Sequence, residues 1–205
     1  CDVCIVGGGI TGVMCALRLA QSGADTVLIT ENRIGSGATA DTMPCVEYDF
    51  GHTLHSLRKR LESGDAIELM RMGERALGEL TSLVAELGGD CGFALRDSMI
   101  FTGDMAELSM LNNEFLVRKR AGFDCSYISR SSAADVFSFD IAGAIVSKGL
   151  AAQLDPYRLT HLCAARAHDM GVRIFENTKA DLIECEGDVY IETSTRRLIT
   201  AGKTV

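Results

Sequence analysis

Three adjacent glycines near the start of the chain constrain its fold more than any other feature. The apolar run at residues 3–6 leads directly into Gly7, Gly8 and Gly9. After the glycines, apolar residues recur at helical spacing, and a second apolar, β-branched run follows at residues 26–30. Strand, tight turn, helix and strand in this order predict a βαβ unit, in which the two strands are parallel and the crossover is right-handed.

The glycines continue as a G-x-G-x-x-G motif formed by Gly7, Gly9 and Gly12. The first glycine permits the tight turn, the second lets the backbone approach a pyrophosphate, and the third allows the helix to pack closely on the strand. The N-terminus of the helix then offers free N–H groups and a partial positive charge to the phosphates. Glu31 ends the second strand, where its carboxylate can accept from both hydroxyls of an adenosine ribose and would repel the 2′-phosphate of NADP. The pattern therefore predicts an adenine dinucleotide, and it does not separate FAD from NAD.

Composition excludes several other classes of protein. The chain has 205 residues, of which 47% are hydrophobic and 23% are charged, as expected for one large domain or two small ones. The formal net charge is -8 and the longest basic runs are residues 58–60 and 118–120, so nucleic acid is disfavoured as a partner. We interpret both basic runs as solvated faces of helices.

The uncharged segment at residues 3–17 fits neither a signal peptide nor a membrane span. It has no basic flank, contains four glycines and stops at Arg18, short of the ~20 residues that a span needs. We therefore predict no targeting or transmembrane segment. The eight cysteines are scattered singly, which is typical of thiols packed as small hydrophobes in a reducing compartment, so we predict a cytoplasmic protein.

The middle of the chain predicts a loop followed by two helices and then mixed elements. Residues 32–51 are rich in turn formers and weakly periodic, which is typical of a loop that wraps a ligand. Residues 52–87 have helical periodicity, with a break predicted at Gly64 and Asp65. Beyond them the pattern predicts a strand at 91–103, a helix at 105–120 and strand-like segments at 137–154.

The last part of the chain begins with a well-marked helix. Asp155 is a favourable N-cap, Pro156 suits the first helical position, and an apolar stripe continues up to Gly171. Short apolar runs follow at residues 172–175, 178–185, 189–193 and 197–200. We interpret these runs as a β-meander that is added to the parallel sheet.

Three stretches carry a family resemblance: VGGGITGVMCALRLAQSGADTVLITE, RIGSGATADT and LDPYRLTHLCAARAHDMGVRIFENTKADLIE. In this order they make the chain similar to the FAD-dependent D-amino-acid oxidase superfamily, which includes glycine oxidase and sarcosine oxidase. The resemblance implies an α/β fold in which a Rossmann-like FAD-binding domain carries an inserted, mixed α/β substrate domain. It assigns residues 1–88 and 150–205 to the FAD-binding domain, and residues 89–149 to part of the substrate-binding domain.

The resemblance also implies FAD as the cofactor and indicates where it would be bound. The loop at residues 35–42 would pass along the diphosphate and the flavin ring, and the backbone of Ala180 would pair with the adenine edge. Pro44 stands where many relatives have a small residue beside the flavin, and it removes an amide donor there, so the ring environment differs in this chain. The implied cofactor-binding residues are Gly7, Gly9, Ile10, Thr11, Gly12, Glu31, Asn32, Arg33, Ser36, Gly37, Ala38, Thr39, Thr42 and Ala180.

The function implied by the resemblance is oxidation of a small amino acid or amine, with a hydride passing from the α-carbon of the substrate to flavin N5. The alternatives are an FAD-dependent dehydrogenase of a hydroxy acid or glycerol phosphate, and a nucleotide-binding module without turnover. The expected partner is a small amino or hydroxy acid. No catalytic residue is assigned, and we interpret Arg96 and Arg130 as surface residues rather than as a clamp for a carboxylate.

Candidate metal and redox residues are better explained by packing. Cys1 and Cys4 would lie on opposite faces of a strand, and His52 and His55 lack a full set of ligands nearby. We therefore predict no metal site. Cys45 is the cysteine closest in sequence to the expected flavin, and we predict that it is buried as a small hydrophobe.

The chain is expected to be an N-terminal fragment of a longer protein. It opens with Cys1 rather than Met, and proteins of the family that it resembles are nearly twice as long. Residues 203–205 stop where a further sheet strand and the flavin-closing segment would begin, so we expect the catalytic residues to lie beyond residue 205.

Overall fold

The computed structural model describes residues 1–205, apart from the side chain of Glu186. The chain forms two compact units, the first made of Cys1–Pro44, Val84–Gly92 and Asp155–Val205, and the second of Cys45–Leu83 and Phe93–Leu154. Residues 45–83, which the family resemblance assigns to the FAD-binding domain, belong to the second unit. That one unit binds the cofactor and the other the substrate stays a prediction.

The secondary structure alternates between strands and helices at the start of the chain and ends in strands. In chain order the elements are β1 (Val3–Val6), α1 (Ile10–Gln21), β2 (Thr26–Ile29), α2 (Ala38–Asp41), β3 (Cys45–Glu47), α3 (Leu54–Leu57), α4 (Ser63–Leu87), β4 (Ala94–Thr102), α5 (Leu108–Arg120), β5 (Ser126–Ser129), α6 (Arg130–Ala133), β6 (Gly143–Gln153), α7 (Pro156–Asp169), β7 (Arg173–Phe175), β8 (Ala180–Glu186), β9 (Asp188–Thr193), β10 (Leu198–Ala201) and β11 (Lys203–Thr204). A short 3-10 helix, Met105–Glu107, precedes α5.

A parallel sheet with the strand order β11-β1-β2-β7 forms the centre of the first unit. The predicted βαβ unit is confirmed, because β1 and β2 are parallel neighbours joined by α1. α7 packs against α1, and it begins as predicted, with Pro156 in its first turn and the Asp155 carboxylate accepting from the Arg158 amide at 3.0 Å. β2 is buried along its whole length, as expected for a parallel strand covered on both faces.

The antiparallel strands of the first unit form a sheet of their own. β8, β9 and β10 pair in the order β10-β9-β8, and Val189 and Ile191 of β9 pack in one core with Val27 and Ile29 of β2. The prediction of a single meander added to the parallel sheet was therefore wrong in part: β7 joins the parallel sheet, while the three later strands lie against it as a second layer. Residues 203 and 204, where a further strand was expected to begin, already form β11 beside β1.

The second unit is an antiparallel sheet with its own helices. β6 pairs with β4 along most of its length, and with β5 and β3 near its two ends. Two helices follow the predicted loop, but the break lies before Ser63, because Gly64 and Asp65 belong to the first turn of α4. The predicted loop also contains α2 and β3, which are too short for hydrophobic periodicity to reveal.

A buried ionic network lies in the core of the second unit. The Arg118 side chain is only 1% exposed, and its guanidinium pairs with Glu114 at 2.5 Å and with Asp49 at 3.1 Å. It also donates to the Tyr48 hydroxyl. Burial alone would lower the pKa of Arg118, but Tyr48 and Glu114 raise it, so the guanidinium stays charged. The interpretation of residues 118–120 as a solvated face was therefore wrong for Arg118, because a single helical residue can face the core while its neighbours face water.

Candidate functional site

The glycine motif forms a tight turn between β1 and α1 in the first unit. Gly7 adopts a φ of +130°, and its N–H donates to the carbonyl of Ile29 at 2.9 Å, which ties the turn to the end of β2. A Cβ atom on Gly12 would overlap the carbonyl oxygen of Gly7. The helix therefore approaches the turn as closely as the motif predicts, and only glycine fits at position 12.

Gly8, to which the sequence assigned no role, also has to lack a side chain. A Cβ atom there would lie 2.8 Å from Cδ1 of Ile34 and 2.9 Å from Cβ of Thr30. The Ile34 side chain is only 3% exposed, and it is buried against the glycine turn. The signal for this requirement was the unbroken run of three glycines at residues 7–9, because the motif itself requires only Gly7 and Gly9 of these three.

The N-terminus of α1 faces the loop that follows β2. Gly9 is the N-cap and offers no side chain, and the Ile10 amide donates instead to Oγ1 of Thr39 at 3.1 Å. By helix geometry the amides of Thr11 and Gly12 have no acceptor within α1. Since Thr39 accepts from Ile10, its hydroxyl proton remains free to donate. This end of the helix thus presents two amides and one hydroxyl to an anion.

A cleft of about 520 Å³, the glycine cleft, opens at this turn. Its volume is within the usual size range of small-molecule sites. Its lining residues are Ile5, Val6, Gly7, Gly9, Ile10, Thr11, Gly12, Ala38, Thr39, Thr42 and Val205. None of these lining residues has a charged side chain, so an anion in the cleft would be held by backbone amides, hydroxyls and the helix dipole. The cleft brings together eight of the predicted site residues: Gly7, Gly9, Ile10, Thr11, Gly12, Ala38, Thr39 and Thr42.

The remaining predicted site residues lie outside the lining of this cleft. They are Glu31, Asn32, Arg33, Ser36, Gly37 and Ala180. Glu31 is exposed two residues after the end of β2, Ser36 donates from Oγ to the carbonyl of Arg33 at 2.7 Å, and Gly37 precedes α2. Ala180 opens β8 opposite Thr193.

A second cavity of about 540 Å³ lies between the two sheets of the first unit. Its lining residues are Ile29, Phe175, Thr178, Thr193, Thr195, Arg197 and Ile199. One of these residues, Ile29, is the last residue of β2 and lies two positions before Glu31 in the sequence. It differs from the glycine cleft in carrying a cation, the Arg197 guanidinium, beside its hydroxyl groups.

The candidate metal and redox residues take other positions in the structure. No group of three or more His, Cys, Asp or Glu side chains that could hold a metal ion occurs among the described residues. Cys45 is exposed, so the prediction of its burial was wrong. β3 is only three residues long and alternates, with Val46 half-buried and both Cys45 and Glu47 facing outward.

Arg96 and Arg130, interpreted as surface residues, are both exposed in the second unit. Arg96 donates to Gln153 at 3.2 Å, and Arg130 pairs with Asp140 at 2.8 Å. Among the described helices, none is both long enough and apolar enough to cross a membrane.

Comparison with known proteins extends these observations. The family model described as DAO: FAD dependent oxidoreductase matches residues 2–204. Gamma-glutamylputrescine oxidoreductase of Escherichia coli (strain K12) is 56% identical over 39 residues, which cover 19% of this chain and 9% of that protein. The probable oxidoreductase OrdL of Haemophilus influenzae is 21% identical over 206 residues, covering 97% of this chain and 47% of that protein.

The solved structures show the same fold at low identity. Glycine oxidase from Geobacillus kaustophilus is similar with a TM-score of 0.84 and 19% identity, and the match covers 99% of this chain and 54% of that one. The chain thus spans about half the length of the proteins that match it from end to end. Because the family model covers nearly every residue, the chain belongs to the DAO family of FAD-dependent oxidoreductases, and FAD is its cofactor.

Proposed function

We propose that the protein oxidises a small amino acid or an amine, the hydride passing from the α-carbon of the substrate to FAD. FAD, when bound, supplies the redox chemistry through its N5 atom. Family membership supports oxidoreductase activity, and two of the similar proteins are named for an amino acid and an amine: glycine oxidase and gamma-glutamylputrescine oxidoreductase. The substrate itself is the proposed part.

The observation that supports this function most directly is the uncharged cleft at the glycine turn. The amides of Thr11 and Gly12 and the hydroxyl of Thr39 would hold the diphosphate of FAD, and the dipole of α1 would favour its negative charge. A Cβ atom on Gly9 would lie 3.2 Å from Oγ1 of Thr39, so a side chain at this position would crowd the hydroxyl that the proposed site uses. The residues present therefore fit a dinucleotide.

The residues outside the cleft would take the rest of the cofactor. We assign the ribose hydroxyls to Glu31, whose exposed carboxylate lies two residues after the end of β2, and the adenine edge to the backbone of Ala180. Asn32, Arg33, Ser36 and Gly37 would shape the loop between the ribose and the diphosphate. In this assignment the first unit binds FAD and the second contributes to substrate binding.

The test is reduction of the flavin in the full-length protein. Purified protein should show the absorbance of bound flavin, and anaerobic addition of small amino acids or amines should bleach it. Bleaching only by 2-hydroxy acids or glycerol 3-phosphate would support the alternative dehydrogenase instead. Bound flavin that no member of the panel reduces would contradict the proposed oxidation and favour a nucleotide-binding module.

A further inference from the structure

Glu176 follows β7 and reaches across to the loop after β2, all within the first unit. Its Oε1 accepts from the Ile34 amide at 2.7 Å. Two backbone bonds run beside this contact, from the Thr178 amide to the Thr30 carbonyl at 2.7 Å and from the Asn177 amide to the Asn32 carbonyl at 3.3 Å. Glu176 thus provides the side-chain part of a clamp between two segments that are far apart in sequence.

The clamped residue, Ile34, supports the glycine turn. Its side chain is buried against Gly8, where an added Cβ atom would lie only 2.8 Å from Cδ1. The next amide, that of Gly35, donates to the Gly8 carbonyl at 2.8 Å. A carboxylate that fixes the Ile34 amide therefore also fixes the packing and the hydrogen bond beneath the glycine turn.

The same loop continues to the mouth of the cleft. Gly35 has a φ of +75°, and a Cβ atom there would lie 3.0 Å from the Tyr157 ring, so this turn of the loop requires glycine. From this turn the loop leads to Thr39, whose Oγ1 accepts from the Ile10 amide. The position of Thr39 over the end of α1 thus depends on how the loop is held at Ile34.

We propose that Glu176 is a positioning residue for FAD. Its carboxylate holds the loop at residues 33–37 in the shape that the cleft requires, and it does so without lining the cleft. The contact needs an acceptor at this point rather than a charge, so a glutamine carbonyl can replace the carboxylate. The inference rests on the proposed use of the glycine cleft for FAD.

The test compares Glu176→Ala, Glu176→Gln and Glu184→Ala in the full-length protein. Glu184 is an exposed carboxylate on β8, so its removal changes the net charge equally without touching the loop. We measure the dissociation constant of FAD by reconstitution of apoprotein, and hydrogen exchange of a peptide containing the Ile34 amide. Glu176→Ala should weaken FAD binding by about three- to tenfold and speed exchange, because a hydrogen bond to an acceptor is lost. Glu176→Gln should stay within about twofold of the parent.

The outcomes separate this inference from the proposed function. Glu176→Ala with the FAD affinity of Glu184→Ala overturns the positioning role, and so does a glutamine variant as weak as the alanine one. Faster exchange with unchanged FAD affinity also overturns it, because the contact would then be structural only. If the parent protein itself binds no FAD, the proposed function fails, and the positioning role fails with it.

Discussion

The glycine cleft of the first unit and the core of the second unit differ in the charge of the side chains that form them. The cleft has no charged side chain among its lining residues, so in the proposed FAD site backbone amides and hydroxyls would hold the diphosphate. The core of the second unit instead encloses Arg118 together with Glu114 and Asp49. We therefore expect an added side-chain atom at the cleft to weaken FAD binding, and the loss of one charge in the core to lower the free energy of unfolding. Substitutions can test each expectation separately.

Removal of the buried cation should have the largest effect. Arg118→Met leaves Glu114 and Asp49 without their partner, and loss of one member of a buried ion pair costs about 3–5 kcal/mol of unfolding free energy. The measurement is urea unfolding of the full-length protein. Arg75→Met is the matched control, because Arg75 pairs with Glu68 at the surface and exposed pairs contribute at most about 1 kcal/mol. Equal losses in the two variants would show that the buried network is not needed for stability.

An added methyl group at the glycine turn should have the next largest effect. In Gly12→Ala the new Cβ would overlap the Gly7 carbonyl, so α1 has to move away and the FAD affinity should fall by about 100-fold. Gly78→Ala is the control, since a Cβ atom at Gly78 meets nothing within 4 Å and alanine favours the helix. Isothermal titration of apoprotein with FAD measures both. If Gly12→Ala binds FAD with the affinity of the parent protein, α1 does not need to pack closely on the glycine turn for FAD to bind.

A charge reversal at the ribose position should have a smaller effect. If Glu31 accepts from the ribose hydroxyls as proposed, Glu31→Arg replaces that acceptor by a donor, and FAD should bind about tenfold more weakly. Glu192→Arg, at an exposed carboxylate of β9, controls for the change in net charge. An unchanged dissociation constant for Glu31→Arg would remove Glu31 from the ribose site.

The smallest effect is expected from the hydroxyl at the mouth of the cleft. Thr39→Val keeps the shape of the side chain but leaves the Ile10 amide without its acceptor, so FAD affinity should fall about threefold. Thr39→Ser keeps the acceptor and should retain most of the affinity. If serine and valine weaken binding equally, packing rather than hydrogen bonding explains the role of Thr39.

Local signals in the sequence predicted the parts of the fold that depend on neighbours along the chain. The glycine motif, the run at residues 26–30 and the pair Asp155 and Pro156 each encode a turn, a strand or a helix start within a few residues. These signals were sufficient for β1, α1, β2 and the start of α7. They were also sufficient to place Gly9, Thr11 and Gly12 at one cleft.

The features that the sequence did not predict depend on contacts between distant segments. Helical spacing places Arg118 on one face with Leu111 and Glu114, but the carboxylate of Asp49 that pairs with it lies on another segment, which the local sequence does not reveal. In the same way, the contact of Glu176 with Ile34 joins the segment that follows β7 to the loop that follows β2. Whether four short strands extend one sheet or form two layers is likewise decided by packing between sheets, which periodicity within a strand does not encode.

The pairing of β11 with β1 has a consequence for the order in which the cleft assembles. The Val6 amide, next to the glycine turn, donates to the Val205 carbonyl at 2.9 Å, and Val205 lines the cleft. During synthesis, β1 leaves the ribosome long before residue 205 exists, and closing so long a loop is slow relative to pairing β1 with β2. We therefore expect the cleft to be completed late in folding, so that a nascent chain would form the glycine turn well before the proposed FAD site is complete.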